Sequence, residues 1–159
     1  MTTPRYLIGW EQVEEMAIYL GERLKANGFV PDYVVGISRG GYFPAILINF
    51  RVCEGWAATC YFDIKRDPAN PAIRIVNSST FSPDVELSGK KVLLCEDMIE
   101  TGESLRVVKE WLEIRGAEVR TMSFFTRADS RFQPNFVFLR DLKSEPSFPW
   151  ERFRDRPTA

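Results

Sequence analysis

The stretch Val92-Leu93-Leu94-Cys95-Glu96-Asp97-Met98-Ile99-Glu100-Thr101-Gly102-Glu103-Ser104-Leu105 decides the fold of this chain. Its apolar run from Val92 to Cys95 predicts a strand that is buried on both faces. Glu96 and Asp97 follow where that strand should end. The segment from Thr101 to Ser104 then opens an amphipathic helix. A buried strand followed directly by a helix indicates an α/β protein with a mainly parallel sheet.

Both halves of this stretch carry groups that suit a sugar phosphate. Ligands of open α/β sheets bind beyond the carboxyl ends of the strands, so Glu96 and Asp97 are predicted to accept hydrogen bonds from sugar hydroxyls or to face a metal-bound group. The turn from Thr101 to Ser104 presents backbone N–H groups at a helix N-terminus, which attracts anions. Gly102 lets the backbone approach a phosphate closely. Ordinary loop and N-cap chemistry explains any one of these residues, but the ordered string predicts a sugar-phosphate site.

The composition excludes several classes of protein and of site. The chain has 159 residues, of which 45% are apolar, and a net charge of −1, so nothing indicates a nucleic-acid or membrane-surface protein. No apolar run is long enough to span a bilayer and the N-terminus lacks a signal-peptide core, so we expect a cytoplasmic protein. Histidine is absent, which excludes histidine-dependent triads and zinc sites. Any metal is therefore expected to be a hard cation bound by oxygen.

The remainder of the chain alternates between helical and strand patterns. Helices are predicted over residues 10–26, about 42–51 and about 103–115, strands over 33–37, 57–63, 73–76, 119–125 and 136–139, and loops over 65–71, 78–89 and 126–134. This order predicts a mainly parallel open sheet with helices on both faces, in a single domain spanning 1–159. Its core would cover about 10–126, and the N-terminus and about 127–159 would form a small cap. The cysteines at 53, 60 and 95 are predicted to be buried thiols.

A second anion-binding loop is predicted at Gly36-Ile37-Ser38-Arg39-Gly40-Gly41, at the end of another strand. Its glycines let the backbone curl around an anion, and Arg39 supplies a forked cation suited to phosphate. Together the two stretches resemble type I phosphoribosyltransferases. The stretch from Val92 resembles that family's motif for phosphoribosyl diphosphate (PRPP): a hydrophobic strand, two acids, two mostly apolar residues, an acid, and Thr-Gly-x-Thr/Ser. The second loop resembles the family's pyrophosphate loop, in a form closest to bacterial xanthine-guanine phosphoribosyltransferases.

The resemblance implies a role for each residue of both loops. The implied PRPP-binding residues are Ser38, Arg39, Gly40, Gly41, Glu96, Asp97, Thr101, Gly102, Glu103, Ser104 and Leu105. Glu100, where the family commonly has Asp, would be the catalytic residue that accepts the proton leaving the base. Asp97 would also contact a metal weakly, mostly through PRPP and water. The implied cofactor is Mg²⁺, and the implied partners are PRPP and a nucleobase, bound by a homodimer or homotetramer.

The resemblance also implies two base-binding residues, Arg127 and Trp150. The alternatives are a plain surface charge for Arg127 and a packing anchor for Trp150. The segment Phe124-Phe125-Thr126-Arg127 aligns with the place where the family has a Lys that reads the exocyclic oxygen of the base. Phe148-Pro149-Trp150-Glu151 resembles the family's C-terminal signature. The family usually stacks an aromatic or apolar side chain on the purine just before that signature, whereas residues 141–147 contain no aromatic. The expected reaction is transfer of the phosphoribosyl group of PRPP to a nucleobase, a 6-oxopurine in first place, with another base left open.

Two functions of other classes remain open on these residues. A regulator with the same fold could sense PRPP or a nucleotide without turnover. A flavodoxin-like phosphate-binding module could carry similar loops. The segment from Lys65 to Pro71 is either a solvated surface loop or a mobile lid over PRPP. Release of pyrophosphate from PRPP with a panel of bases separates the enzyme from both alternatives.

Overall fold

The strand that carries Glu96 and Asp97 lies near the middle of a six-stranded sheet. The computed structural model describes residues 5–54, 57–67, 70–78, 81 and 84–153. The strands are β1 (Arg5–Leu7), β2 (Tyr33–Ile37), β3 (Ala58–Asp67), β4 (Asn70–Ser78), β5 (Lys91–Ile99), β6 (Glu118–Thr126), β7 (Phe136–Arg140) and β8 (Glu145–Ser147). The helices are α1 (Trp10–Asn27), α2 (Tyr42–Cys53) and α3 (Glu103–Ile114), with a 3₁₀ turn at Glu151–Phe153.

The order of the strands creates a crevice between β2 and β5. The main sheet has the order β4-β3-β2-β5-β6-β7, in which β3, β2, β5, β6 and β7 are parallel and β4 is antiparallel to β3. From β2 the chain moves outward through β3, whereas from β5 it moves outward the other way through β6. The loops that follow β2 and β5 therefore diverge and leave a ligand crevice at the carboxyl edge.

The helices cover both faces of this sheet, as the sequence predicted. Leu93 and Cys95 of β5 face one core, with α1 and α2, whereas Val92 and Leu94 face the other, with α3. This alternation follows from the two-residue period of a strand. All four side chains are buried, as expected for a central parallel strand. The predicted fold class, an open mainly parallel α/β sheet, is confirmed.

The chain ends form a small second sheet beside the crevice. Strands β1 and β8 pair in parallel, with Arg5 opposite Glu145 and Leu7 opposite Ser147. The guanidinium of Arg152 donates to Ile8 O at 2.8 Å and to Ser147 O at 2.9 Å, so it joins the two chain ends. This two-stranded sheet corresponds to the cap predicted from the sequence.

Two predicted element boundaries are wrong. Strand β5 does not end before Glu96 but continues to Ile99, because β6 keeps pairing with it, Glu96 opposite Ser123 and Ile99 opposite Thr126. Part of the predicted polar loop at 65–71 is instead strand, since β3 runs to Asp67 and β4 begins at Asn70. Pairing between β3 and β4 overrides the weak local strand preference of these polar residues. Residues 68 and 69 of that loop, and 154–159 of the cap, lie outside the described residues.

The described residues bear on two further predictions: that the cysteines are buried thiols, and that no segment spans a membrane. Cys95 is buried and Cys53 is half-buried, where burial raises the pKa of its thiol. The side chain of Cys60 lies outside the described part of the chain. Within that part, no helix combines the length and the apolar character needed to cross a membrane.

Candidate functional site

Two cavities open at the carboxyl edge of the main sheet. The larger, of about 800 Å³, borders the loop after β2, and the smaller, of about 430 Å³, borders the loop after β5. Ser38, Asp97 and Glu151 line both. The shared lining makes the two cavities parts of one crevice, and Asp97 stands on the wall between them.

The larger cavity joins an anion loop to aromatic side chains. Its lining combines Ser38, Arg39 and Gly40 with Tyr42, Phe43, Tyr61 and Trp150. The loop turns sharply, since Gly41 N donates to Ile37 O at 3.0 Å. The Ser38–Arg39 peptide is cis. Arg39 is exposed and can turn its guanidinium toward a phosphate in the cavity.

Gly40 and Gly41 let this loop pack directly on the end of β5. A Cβ atom at Gly40 would lie 1.9 Å from Oδ2 of Asp97, and one at Gly41 would lie 2.4 Å from Cys95 O. Any side chain at either position would push the loop away from the strand. The glycines predicted to surround an anion therefore also seat the loop against the acidic pair.

The smaller cavity is rich in carboxylates and ends at the N-terminus of α3. Its carboxylates are Glu96, Asp97, Glu100, Glu145 and Glu151, and its other lining residues are Ser38, Ile64, Met98, Thr101, Gly102, Ser104 and Pro146. Glu100 is exposed and makes no hydrogen bond or ion pair with another described residue. Its carboxylate is therefore available to a ligand.

The turn at Thr101 to Leu105 leaves backbone donors for an anion. Glu103 N donates to Thr101 Oγ1 at 3.3 Å, and the first helical bond runs from Arg106 N to Gly102 O at 3.0 Å. The amides of Ser104 and Leu105 therefore have no partner among the described residues. These two donors sit at the positive end of the α3 dipole, where an anion is stabilised.

Gly102 is required by conformation and by space. Its φ of 82° lies in the left-handed region, where a side chain is strained. A Cβ there would lie 2.4 Å from Cβ of Phe132. The turn is thus packed under the loop between β6 and β7, a contact that the sequence did not predict.

Asp97 is held by two hydrogen bonds. Its Oδ1 accepts from Met98 N at 2.8 Å, and its Oδ2 accepts from Nε1 of Trp150 at 3.2 Å. Burial raises the pKa of the Asp97 carboxyl to about 6 although both hydrogen bonds lower it, and the negative charge of Glu151 raises it further. A carboxylate has about four acceptor positions, so two remain for a ligand.

Trp150 lies in the middle of an aromatic stack. The ring of Phe43 stacks on it at 4.3 Å and 7°, and that of Phe148 at 4.6 Å and 8°. Among the described residues, the rings of Phe43 and Phe148 both lie parallel to the indole but do not contact each other. They therefore cover its opposite faces. A nucleobase therefore cannot stack on Trp150, and the base-binding role that the resemblance implied for it needs revision.

The crevice brings together most of the predicted site residues. The residues that line one or both cavities are Ser38, Arg39, Gly40, Glu96, Asp97, Glu100, Thr101, Gly102, Ser104 and Trp150. The side chains of Glu103 and Leu105 point elsewhere, because Glu103 pairs with Arg106 and Leu105 is buried under α3. Arg127 lines neither cavity, although its backbone N–H donates to Ile99 O at 3.1 Å, beside Glu100. Its base-reading role stays a prediction.

Sequence reasoning missed several lining residues. Tyr42 and Tyr61 line the larger cavity, while Met98, Pro146 and Glu145 line the smaller one. Met98 could have been found, because it is one of the two apolar residues between the acids of the motif. The others are brought to the crevice by α2, β3 and β8, and no local pattern marks them.

The donor chemistry of the smaller cavity suits Mg²⁺ that arrives with a ligand. Among the described residues, no three acidic, Cys or His side chains come together as ready-made metal ligands. Mg²⁺ often keeps several waters and binds one or two carboxylates together with substrate phosphates. Asp97 and Glu96, which both line the cavity next to the anion loops, fit that mode of binding.

Comparisons with known proteins agree with one another. A family model described as a phosphoribosyl transferase domain matches residues 10–155. The chain is 38% identical over 130 residues to a hypoxanthine-guanine phosphoribosyltransferase of Lactococcus lactis, an alignment that covers 80% of this chain and 69% of the relative. A purine phosphoribosyltransferase from Pyrococcus horikoshii superposes with a TM-score of 0.79 at 25% identity, over 98% of this chain and 97% of the other. A xanthine-guanine-hypoxanthine phosphoribosyltransferase of Helicobacter pylori has the same fold, with a TM-score of 0.77 at 16% identity over 96% and 100%.

Proposed function

Because the chain belongs to the phosphoribosyl transferase family, we propose that it transfers the phosphoribosyl group of PRPP to a 6-oxopurine. The products are a nucleoside monophosphate and pyrophosphate. The observation that carries this proposal is the convergence of two anion loops on one crevice, with the Glu96–Asp97 pair between them. PRPP has the matching pattern, with a 5-phosphate at one end, a pyrophosphate at the other and two ribose hydroxyls between.

Each part of PRPP has a place in this arrangement. The amides of Ser104 and Leu105, with the Thr101 and Ser104 hydroxyls, bind the 5-phosphate. Glu96 and Asp97 accept hydrogen bonds from the ribose hydroxyls. Arg39 binds the pyrophosphate on the side of the larger cavity, together with the backbone N–H groups of Arg39 and Gly40. Ser38 N and Gly41 N already donate to Phe62 O and Ile37 O.

The reaction breaks the bond from the ribose C1 to pyrophosphate and forms a bond from C1 to a ring nitrogen of the base. Positive charge develops on the sugar and negative charge on the departing pyrophosphate. Arg39 turns its guanidinium toward that pyrophosphate, and with the backbone donors of Arg39 and Gly40 it stabilises the charge as the pyrophosphate leaves. Bound Mg²⁺, held by Asp97 and Glu96 mostly through water, would neutralise part of the same charge. Glu100 accepts the proton that the ring nitrogen loses.

We place the base in the smaller cavity, next to Glu100. Met98 and Pro146 supply apolar contact there in the absence of an aromatic residue in 141–147. Arg127 carries only hydrogen-bond donors, so it suits the carbonyl oxygen of a 6-oxopurine and opposes the amino group of adenine. A site built around a hydrogen bond discriminates more strongly than an apolar pocket does.

Pyrophosphate release tests this function. Wild type is incubated with PRPP, Mg²⁺ and adenine, hypoxanthine, guanine or xanthine, and kcat/KM is measured for each base. We expect turnover with a 6-oxopurine and a clear preference over adenine, which Arg127→Met should reduce. A preference for adenine, or an unchanged preference in Arg127→Met, would remove Arg127 from base recognition.

A second candidate function is a sensor of PRPP or a nucleotide on the same fold. It is favoured by the carboxylate of Glu145 on the wall of the smaller cavity, in the segment where the family usually has a side chain that stacks on the purine. The same assay distinguishes the two functions, because a sensor binds PRPP without releasing pyrophosphate from it, whichever base is present. A cytoplasmic location stays a prediction of the sequence.

We also propose that the protein forms homo-oligomers through the outer face of α2. Most residues of this helix are apolar, and Phe50 remains 69% exposed. Its one charged residue, Arg51, is already paired with Glu22 at 2.6 Å, so the face is depleted of unpaired charge and suits a self-complementary contact with a second copy.

The oligomer is tested by light scattering of the full chain. Phe50→Asp should lower the measured mass to that of a monomer, because a charge in the contact opposes association. Ile114→Asp is the matched control, since Ile114 is 83% exposed on α3, and it should leave the mass unchanged. A monomeric wild type would contradict the proposal.

A further inference from the structure

The stacked indole of Trp150 has one polar atom, and that atom points at the acidic pair. Its Nε1–H donates to Oδ2 of Asp97 at 3.2 Å. Phe43 and Phe148 cover its two faces, and Trp10 lies against its edge with ring centroids 5.9 Å apart. The ring therefore has little freedom to turn, and its N–H donor is fixed in direction.

We propose that Trp150 is a positioning residue, which holds the Asp97 carboxylate in the orientation that receives the ribose hydroxyls of PRPP. This inference rests on the proposed function. It assigns Trp150 to the sugar side of the site, acting through Asp97, instead of to the base. The two acceptor positions left on Asp97 are the ones directed at the ligand.

Three elements meet at this hydrogen bond. Asp97 belongs to β5, and Trp150 follows the cap strand β8. Phe43 lies in the first turn of α2, which follows the anion loop after β2. Oδ2 of Asp97, which accepts from the indole, is also the atom that a Cβ at Gly40 would meet at 1.9 Å. Rotation of the Asp97 side chain would therefore break the hydrogen bond to Trp150 and, at the same time, change the contact with the anion loop after β2. The indole bond opposes that rotation.

The variant Trp150→Phe separates the hydrogen bond from the stack. Phenylalanine keeps an aromatic ring between Phe43 and Phe148 but has no donor. A hydrogen bond to a charged group contributes enough that its loss should weaken PRPP binding by about tenfold. Trp10→Phe is the matched control, since Trp10 belongs to the same aromatic cluster and has no hydrogen bond to Asp97. It should leave the PRPP affinity unchanged.

A double-mutant cycle tests whether Trp150 acts through Asp97. The Kd for PRPP is measured with Mg²⁺ for wild type, Trp150→Phe, Asp97→Ala and the double variant. We expect the double variant to bind within about twofold of Asp97→Ala, because the donor has nothing to hold once the acceptor is gone. If the Kd of the double variant instead rises by the product of the two single-variant factors, Trp150 acts independently of Asp97, and the inference is overturned. The preference among bases should not change in Trp150→Phe, whereas a base-contacting Trp150 predicts that it does.

A measurement on the free protein tests the contact without any ligand. The indole N–H resonances of the four tryptophans are recorded by ¹⁵N–¹H NMR, and that of Trp150 is assigned by its absence in Trp150→Phe. In Asp97→Ala this resonance should move upfield, while those of the other tryptophans stay close to their positions. An unmoved Trp150 resonance would overturn the inference whatever the binding data. If wild type binds no PRPP, the proposed function fails and takes the substrate part of this inference with it.

Discussion

The carboxylates of the smaller cavity differ in what holds them, and this difference suits them to the different roles proposed for them. Asp97 is fixed by Met98 N and by the indole of Trp150. Glu100 is exposed and free of hydrogen bonds to the other described residues. A fixed carboxylate suits the binding of a sugar, since its acceptor positions are already oriented. A carboxylate that can move suits the transfer of a proton from an incoming base.

At this scale we predict the effect of Glu100→Gln. Glutamine keeps the shape of the side chain and removes its charge and basicity. A positioned acid–base group contributes about 10²–10⁴ in rate, and we expect kcat to fall toward the lower part of that range, because water can also accept the proton. The Kd for PRPP should stay nearly unchanged. Pre-steady-state measurements isolate the chemical step.

The control for this prediction is Glu14→Gln, because Glu14 is an exposed glutamate of α1 that lines neither cavity. It should leave kcat unchanged. A wild-type rate for the chemical step in Glu100→Gln would show that Glu100 is not the base.

At the scale of elements, the turn from Thr101 to Leu105 depends on a neighbour that is distant in sequence. Gly102 packs under Phe132, in the loop between β6 and β7. The contact holds the N-terminus of α3 against the carboxyl end of β6. The conformation of the anion loop after β5 therefore depends on the loop between β6 and β7 as well as on its own sequence.

We predict that Gly102→Ala lowers both the free energy of unfolding and the affinity for PRPP. Strain at positive φ should contribute about 1–2 kcal/mol, and the clash with Phe132 should add about 1–3 kcal/mol. The turn must also shift, so the Kd for PRPP should rise by about tenfold or more. Urea unfolding and a PRPP titration measure the two effects.

Gly28→Ala is the matched control, because Gly28 also has positive φ, at 72°, but no atom within 4 Å of a Cβ. It should show only the loss of stability from the backbone strain, with normal PRPP binding. Equal losses in the two variants, with PRPP affinity intact in both, would mean that the turn adjusts and does not bind the phosphate.

At the scale of the whole molecule, the crevice joins the main sheet, α2 and the cap. Burial of Asp97 at this junction raises the pKa of its carboxyl to about 6, above the value of about 3.9 in an unfolded chain. The folded protein therefore binds this proton more tightly than the unfolded chain. The resulting stabilisation is fully present below pH 4 and is lost as pH rises through about 6.

We predict that Asp97→Asn removes this component of the pH dependence. Between pH 4.5 and 7.5, the unfolding free energy of the variant should rise relative to wild type by about 2 kcal/mol. Asparagine cannot accept hydrogen bonds from both Met98 N and the indole of Trp150. The loss of a hydrogen bond lowers the unfolding free energy by an amount that does not depend on pH. Urea unfolding across that range, with exposed Asp129→Asn as control, measures the difference. A constant difference between Asp97→Asn and wild type would contradict the raised pKa.

The local pattern of the sequence was enough to predict the parallel sheet, the two loops at its carboxyl edge and the family. Each of these depends on a contiguous stretch of sequence, such as Val92 to Leu105, in which apolar residues, acids and glycines follow one another in a fixed order. Because each loop joins the end of a parallel strand to the start of a helix, both loops lie at the same edge of the sheet. The family resemblance is confirmed by the match over residues 10–155.

Only the tertiary structure decided how far β5 extends, what holds Asp97 and what Trp150 can contact. The length of β5 depends on pairing with β6, and the state of Asp97 depends on Trp150, 53 residues further along the chain. The covered faces of Trp150 depend on Phe43 and Phe148, which arrive from α2 and from the cap. The physical reason is the same in each case: hydrogen bonding, burial and stacking are set by neighbours in space, and for these residues the neighbours are distant in the sequence.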